Sequence, residues 1–198
     1  RSFTFEWHVP LDKVTRAEEC GQVLGLAGDA AVHDTGAGFF QKIHPDDRDK
    51  LVNTIKALSP DNDTYTTAYR LLRPDGKFVI LEEIARAVFN ENGVLESLEG
   101  MTADVTVRKQ AEEALRQSRE DLDRAQSVGQ IGSWRLDVVR NVLTWSDESY
   151  RIFGISRGAS LTYETFLECI HPDDRQYVDT QWKAALDGKP YDIEHRIV

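Results

Sequence analysis

Two runs of imidazole and carboxylate side chains are the first candidates for chemistry: His44-Pro45-Asp46-Asp47-Arg48 and His171-Pro172-Asp173-Asp174-Arg175. Paired carboxylates beside an imidazole could hold a cation or exchange protons. The proline points elsewhere. Pro45 and Pro172 suit the first position of a helix, where the missing N–H would have no partner anyway. Asp46, Asp47, Asp173 and Asp174 then fall in a first turn, where the helix dipole favours negative charge. His44 and His171 stand at the entry as caps or packing partners. His8, His33 and His195 have no metal-ligand spacing to one another, and the chain lacks P-loop, HExxH and GxSxG patterns. The sequence therefore offers no catalytic set and no metal centre. Cys20 and Cys169 occur in unrelated contexts without CxxC spacing, and read as reduced, buried thiols.

The recurrence itself is the more informative feature. Each run follows an isoleucine, Ile43 or Ile170, and the interval from His44 to His171 also carries Trp7 to Trp134 and Phe39 to Phe166. Near Gly25 and Gly154 the interval grows by two. A period this long means two domains, not an array of short repeats.

Each copy begins with strand-like segments, Phe3 to Val9 and Ser133 to Val138, followed by Lys13–Arg16 and Val142–Trp145. A short helical piece ends at Gly25 or Gly154, as suits a helix C-terminus that needs positive φ. The His-Pro-Asp-Asp run starts a longer helix, with Leu51, Val52, Ile55 and Leu58 on one stripe and Val178, Trp182 and Ala185 matching it. Three strands follow in the first copy. Thr64–Leu72 is rich in Thr and Tyr. Arg73-Pro74-Asp75-Gly76 is a tight turn before Lys77–Phe89, and Asn90-Glu91-Asn92-Gly93 is a turn before Val94–Ala103. The order predicts an α+β domain with a five-stranded antiparallel sheet and flanking helices. In the second copy Tyr191–Arg196 aligns with Thr66–Leu71. The chain stops before counterparts of the last two strands, so that copy is expected to be C-terminally truncated, its open edge covered by another chain.

The motifs, in this order and twice over, resemble the PAS family in its fold type 3. The residues that carry the resemblance are Trp7 and Trp134, the two Ile-His-Pro-Asp-Asp-Arg entries, the Arg-Pro-Asp-Gly hairpin, and Gly100–Glu112. That last stretch is similar to the family's closing segment, with Val105 where Ile is usual. The expected layout is a first PAS domain at 1–105, a helical linker at 106–127 and an incomplete second PAS domain at 128–198. Haem-binding members use a His on the long helix, and Pro45–Leu58 and Pro172–Leu186 have none. Flavin photoreceptors use a Cys in a run that surrounds neither Cys20 nor Cys169. The resemblance thus argues against haem and a cysteinyl-flavin adduct. It leaves FAD, a small metabolite or a self-filled pocket open.

Asp104 to Ser127 reads as the linker helix, capped by Asp104 or Thr106. Its interior is nearly all good helix formers. Ala111, Leu115, Ser118, Leu122 and Ala125 are spaced as a thin heptad seam. Asp104, Thr106, Leu115 and Leu122 are the expected signal-relay positions. The formal net charge of -10 argues against nucleic acid and anionic membranes as partners. No stretch suits a membrane span or a signal peptide. With no initiating Met, the chain reads as part of a longer cytoplasmic protein. The expected function is the sensory and dimerising input region of a histidine kinase, with an output domain following in the same polypeptide. A ligand-free interaction scaffold and a diguanylate cyclase input region are the alternatives.

Overall fold

The computed structural model describes residues 1–198. They form two compact units, Arg1–Glu113 and Ala114–Val198.

The first unit contains β1 (Ser2–His8), β2 (Lys13–Arg16), α1 (Cys20–Leu24), α2 (Asp29–Val32), β3 (His33–Asp34), α3 (Gly36–Lys42), α4 (Pro45–Lys56), β4 (Thr64–Leu72), β5 (Phe78–Phe89) and β6 (Leu95–Asp104). The strands form one antiparallel sheet in the order β3-β2-β1-β6-β5-β4. Five are the expected strands. The sixth, β3, is two residues long and pairs Asp34 with Val14. Pairing of β1 with β6 brings Ser2 opposite Ala103, so the sheet joins the beginning of the unit to its end.

Alternation explains which side chains enter the core. Along β5, Val79, Leu81, Glu83, Ala85 and Ala87 are buried while Ile84 and Arg86 are exposed, the period of two of a sheet with one covered face. Leu51 is buried, and Ile55 and Leu58 pack against the same cluster. Each fully buried Leu contributes about 2 kcal/mol through apolar area removed from water. Gly25 closes α1 at φ 68, in the left-handed region that Gly enters without steric cost. Gly36 is required by close approach, because a Cβ there would lie 2.5 Å from the Trp7 ring.

The second unit contains β7 (Trp134–Asp137), β8 (Val142–Trp145), α6 (Asp147–Phe153), α7 (Tyr163–Glu168) and α8 (Arg175–Leu186). Helix α5 (Thr106–Gly129) precedes them and ends two residues beyond the expected Ser127. The second His-Pro-Asp-Asp run starts a 3-10 turn, Pro172–Asp174, that leads into α8. Leu143, Trp145 and Leu161 form the small buried core. β7 pairs with β8 alone. The Tyr191–Arg196 stretch stays irregular, tied down by an isolated bridge between Ile170 and Ile197.

Candidate functional site

The paired aspartates are structural clasps. Asp47 takes Arg70 of β4 through Nε at 2.7 Å, through a second guanidinium nitrogen at 2.9 Å and through its backbone N–H at 2.9 Å. These bonds from Arg70 hold the Asp47 carboxyl at about 2, well below the usual carboxylate range. Asp46 reaches Arg70 at 3.2 Å but is largely exposed. His44 caps the helix, its Nδ1 accepting from the Asp46 N–H at 3.3 Å, and its ring lies 5.1 Å from Phe78. The second unit repeats the device. Asp174 takes Arg196 at 3.0 and 2.7 Å, and His171 Nδ1 accepts from the Asp173 N–H at 3.3 Å. Bonds from Arg196 likewise hold the Asp174 carboxyl below its ordinary range. Arg196 is therefore the counterpart of Arg70. Tyr191 and His195 stand where Tyr65 and Tyr69 stand, a register one residue away from the sequence alignment.

Trp7 donates its indole N–H to Asp12 at 3.0 Å and meets Phe40 edge to face at 5.7 Å. Trp134 is half-exposed and packs edge to face on Trp182 and Tyr191.

Asp104 and Thr106 form one node. The Asp104 carboxylate accepts from the Thr106 N–H at 3.0 Å and from its hydroxyl, and the Thr106 oxygen accepts from the Ile80 N–H of β5 at 2.9 Å. Arg73, in the turn between β4 and β5, bonds the other Asp104 oxygen at 3.1 Å and the Val23 carbonyl of α1 at 2.6 Å. Burial opposes ionisation of Asp104. The Thr106 bonds and the Arg73 charge outweigh it and hold the carboxyl below its ordinary range. Two β-strands, a hairpin turn and α1 thus converge where α5 begins. Leu115 and Leu122 lie further along α5, exposed, and no residue of that helix is buried.

Sequence reasoning missed a cluster at the centre of the first unit. Glu83 is buried, and its carboxylate accepts from the hydroxyls of Tyr65 and Tyr69 at 2.5 Å each and from Thr102 at 3.3 Å. Burial pushes its pKa up, against the pull of the three hydroxyls and of Arg16. Arg16 is itself buried, bonded to the Ala31 carbonyl at 3.3 Å and to Asp34 at 3.2 Å, with its guanidinium 5.1 Å from the Phe39 ring centre. The space left between Arg16, Glu83 and Trp7 is about 30 Å³, room for a water. A flavin or haem does not fit there, because the first unit fills its interior with its own side chains. The second unit encloses about 330 Å³ among Trp134, Trp145, Phe153, Tyr163, Trp182 and Tyr191. No Lys or Arg lines that space, so a flavin phosphate or haem propionate would meet no cation. Both thiols are free. Cys20 is fully buried against the Ala31 carbonyl and Cys169 is half-buried, and burial raises the pKa of each.

The PAS fold family model matches residues 13–102 and 142–198, and the chain belongs to that family. The blue-light-activated histidine kinase of Brucella ovis is 30% identical over 122 residues, covering 56% of this chain and 25% of that protein. Sensor protein FixL of Bradyrhizobium diazoefficiens is 32% identical over 68 residues, 34% of this chain and 14% of that one. The chain thus spans a quarter or less of these curated relatives. Among solved structures, a sensory box histidine kinase/response regulator from Burkholderia thailandensis is 30% identical with a TM-score of 0.53, covering 62% of this chain and 91% of that one.

Proposed function

We propose that this chain is the cytoplasmic sensory input region of a two-component histidine kinase, built from tandem PAS domains that self-associate and pass their state along α5 to an output domain in the same polypeptide. The observation that carries the reading is the Asp104–Thr106–Arg73 node. Any shift of β5 or of the Arg73 turn changes the bonds that start α5. A helix of 24 residues without Gly before its last position and without Pro can carry such a shift, whereas a flexible linker cannot. The exposed Leu115 and Leu122 supply a seam for a second copy. The likeness to histidine kinases supports this output over a cyclase, and the fragment itself carries no catalytic constellation. No helix is long and apolar enough to cross a membrane.

The test is Leu115→Pro in the parent protein, since proline inside a helix costs about 3 kcal/mol or more. Stimulus-dependent autophosphorylation should be lost while basal phosphorylation persists. Regulation that survives Leu115→Pro unchanged would remove the relay role. Native mass of the 198-residue chain, with and without Leu115→Glu and Leu122→Glu, reports self-association separately.

A further inference from the structure

We propose that the first unit binds a small monocarboxylate with an apolar body, about the size of benzoate, in the groove between the end of α1 and the Arg73–Gly76 turn. Six apolar residues line this groove, from Leu24 and Leu26 beside α1 to Leu72 and Pro74 beside the turn. The two other lining residues are Lys42 and Arg73, so every charge on the groove is positive. Its volume is about 180 Å³. An apolar cavity of about 150 Å³ takes benzene, and drug-sized ligands need about 300 Å³ or more. Size therefore selects a single ring or a short chain, the lining selects an apolar body, and the cations select a negative head. Leu24 and Leu71 are buried and make a firm floor, while Leu72 is exposed and leaves the mouth open. The core of the same unit, filled down to about 30 Å³, offers no competing place.

The guanidinium is held ready for a carboxylate. Arg73 Nε donates to the Val23 carbonyl at 2.6 Å and one terminal nitrogen to Asp104 at 3.1 Å. A guanidinium carries five N–H groups in a planar fork that matches a carboxylate, and those two bonds leave donors over. The turn cannot draw back from α1 freely, because a Cβ at Gly25 would already lie 3.4 Å from the Arg73 side chain. Lys42 donates to Asp34 at 2.7 Å, and Asp34 also holds Arg16. An anion that draws on Lys42 thus leaves no buried charge alone. Matching Ile43 with Ile170 puts Cys169 at the place of Lys42, so the second unit lacks this cation. A bound carboxylate would share one guanidinium with Asp104, and its arrival pulls on the bonds that start α5. This coupling deepens the relay reading and rests on it, whereas the binding itself does not.

The experiment titrates the 198-residue chain with sodium benzoate at fixed ionic strength and follows amide resonances. Saturable shifts should appear at Leu24, Leu26, Phe39 and Leu71–Arg73, and with them at Thr106. Benzamide, of the same shape without the charge, should bind at least about tenfold more weakly, the scale of a hydrogen bond to a charged group. Leu72→Glu, at an exposed position, puts a carboxylate at the mouth and should weaken benzoate about tenfold while leaving benzamide unchanged. Lys42→Met should weaken benzoate in the same way, and decides the matter if Leu72→Glu fails to fold. No saturable shift, or equal affinity for benzoate and benzamide, overturns the site. Shifts confined to Trp134, Trp145 and Trp182 overturn it by placing the ligand in the second unit. Shifts in the groove with none at Thr106 overturn the coupling to α5. Leu115→Pro lies outside the groove and should leave benzoate affinity unchanged, so failure of the relay and failure of the site are read separately.

Discussion

The His-Pro-Asp-Asp runs show how one residue type can serve a helix and a sheet at once. Asp47 sits in the first turn of α4, where the dipole favours it, and also holds the β4 strand through Arg70. Its carboxyl is depressed from 3.8 to about 2 in the folded protein. The sign follows from linkage: the clasp's contribution is fully present above 3.8 and is lost as pH falls through about 2. Asp47→Asn should destabilise the first unit by about 1–2 kcal/mol at pH 7, a value discounted because Arg70 is partly exposed. The gap between the wild-type chain and Asp47→Asn should close as pH falls toward 2, read by urea melts across pH. Asp46→Asn removes only an exposed contact and should stay within about 0.5 kcal/mol. Equal losses from the two substitutions would show that the helix dipole, and not Arg70, gives the run its role. The arginine partners were present in the sequence as a repeat, since Arg70 and Arg196 each precede the apolar residue that bridges back to Ile43 or Ile170.

At the scale of elements, the node at the start of α5 is the most exposed to test. Thr106→Val removes an oxygen that accepts from Ile80 of β5 and a hydroxyl that donates to Asp104. The loss should be about 1–2 kcal/mol, the size of a helix cap plus a lost backbone partner. Amide exchange should speed up first at Ile80 and in the first turn of α5. Thr106→Ser, which keeps the oxygen, should restore most of it. Unchanged exchange at Ile80 in Thr106→Val would mean that helix and sheet are not coupled through this oxygen. The element order was legible because its signals are local. Thr and Tyr content marked β4, the Arg73–Gly76 and Asn90–Gly93 turns set off β5 and β6, and Pro45 opened α4. Helix α3 was not legible. Gly36-Ala37-Gly38 is a poor helix start, and it folds because Thr35 caps Gly38 and the Asp12 carboxylate takes the Gly36 and Ala37 N–H groups from far along the chain. Glu83 was hidden differently. It falls on the inward parity of β5 between Leu81 and Ala85, a local sign of a buried carboxylate, but its donors come from two other strands.

The whole chain is best understood through the pairing of β1 with β6. That contact joins the first residues of the first unit to its last strand, so the sheet cannot close until nearly all of the unit is present. Non-local closure of this kind makes folding all-or-none, because the entropy cost of bringing the ends together comes before the contacts that repay it. Two cuts separate the possibilities. Residues 1–107 keep β6 and the Asp104–Thr106–Ile80 bonds, and lack nearly all of α5, which buries no residue. This piece should unfold in one urea transition, with far-ultraviolet circular dichroism and the emission of Trp7, its one tryptophan, falling on the same curve. Residues 1–94 lose β6 and leave β1 and β5 each with a free edge. They should bind hydrophobic dyes and melt without a sharp midpoint. If 1–107 also melts gradually, or if its two probes give different midpoints, the first unit depends on α5 for its fold. The helix would then be part of the domain's core, and a relay that moves it would have to unfold the domain to do so.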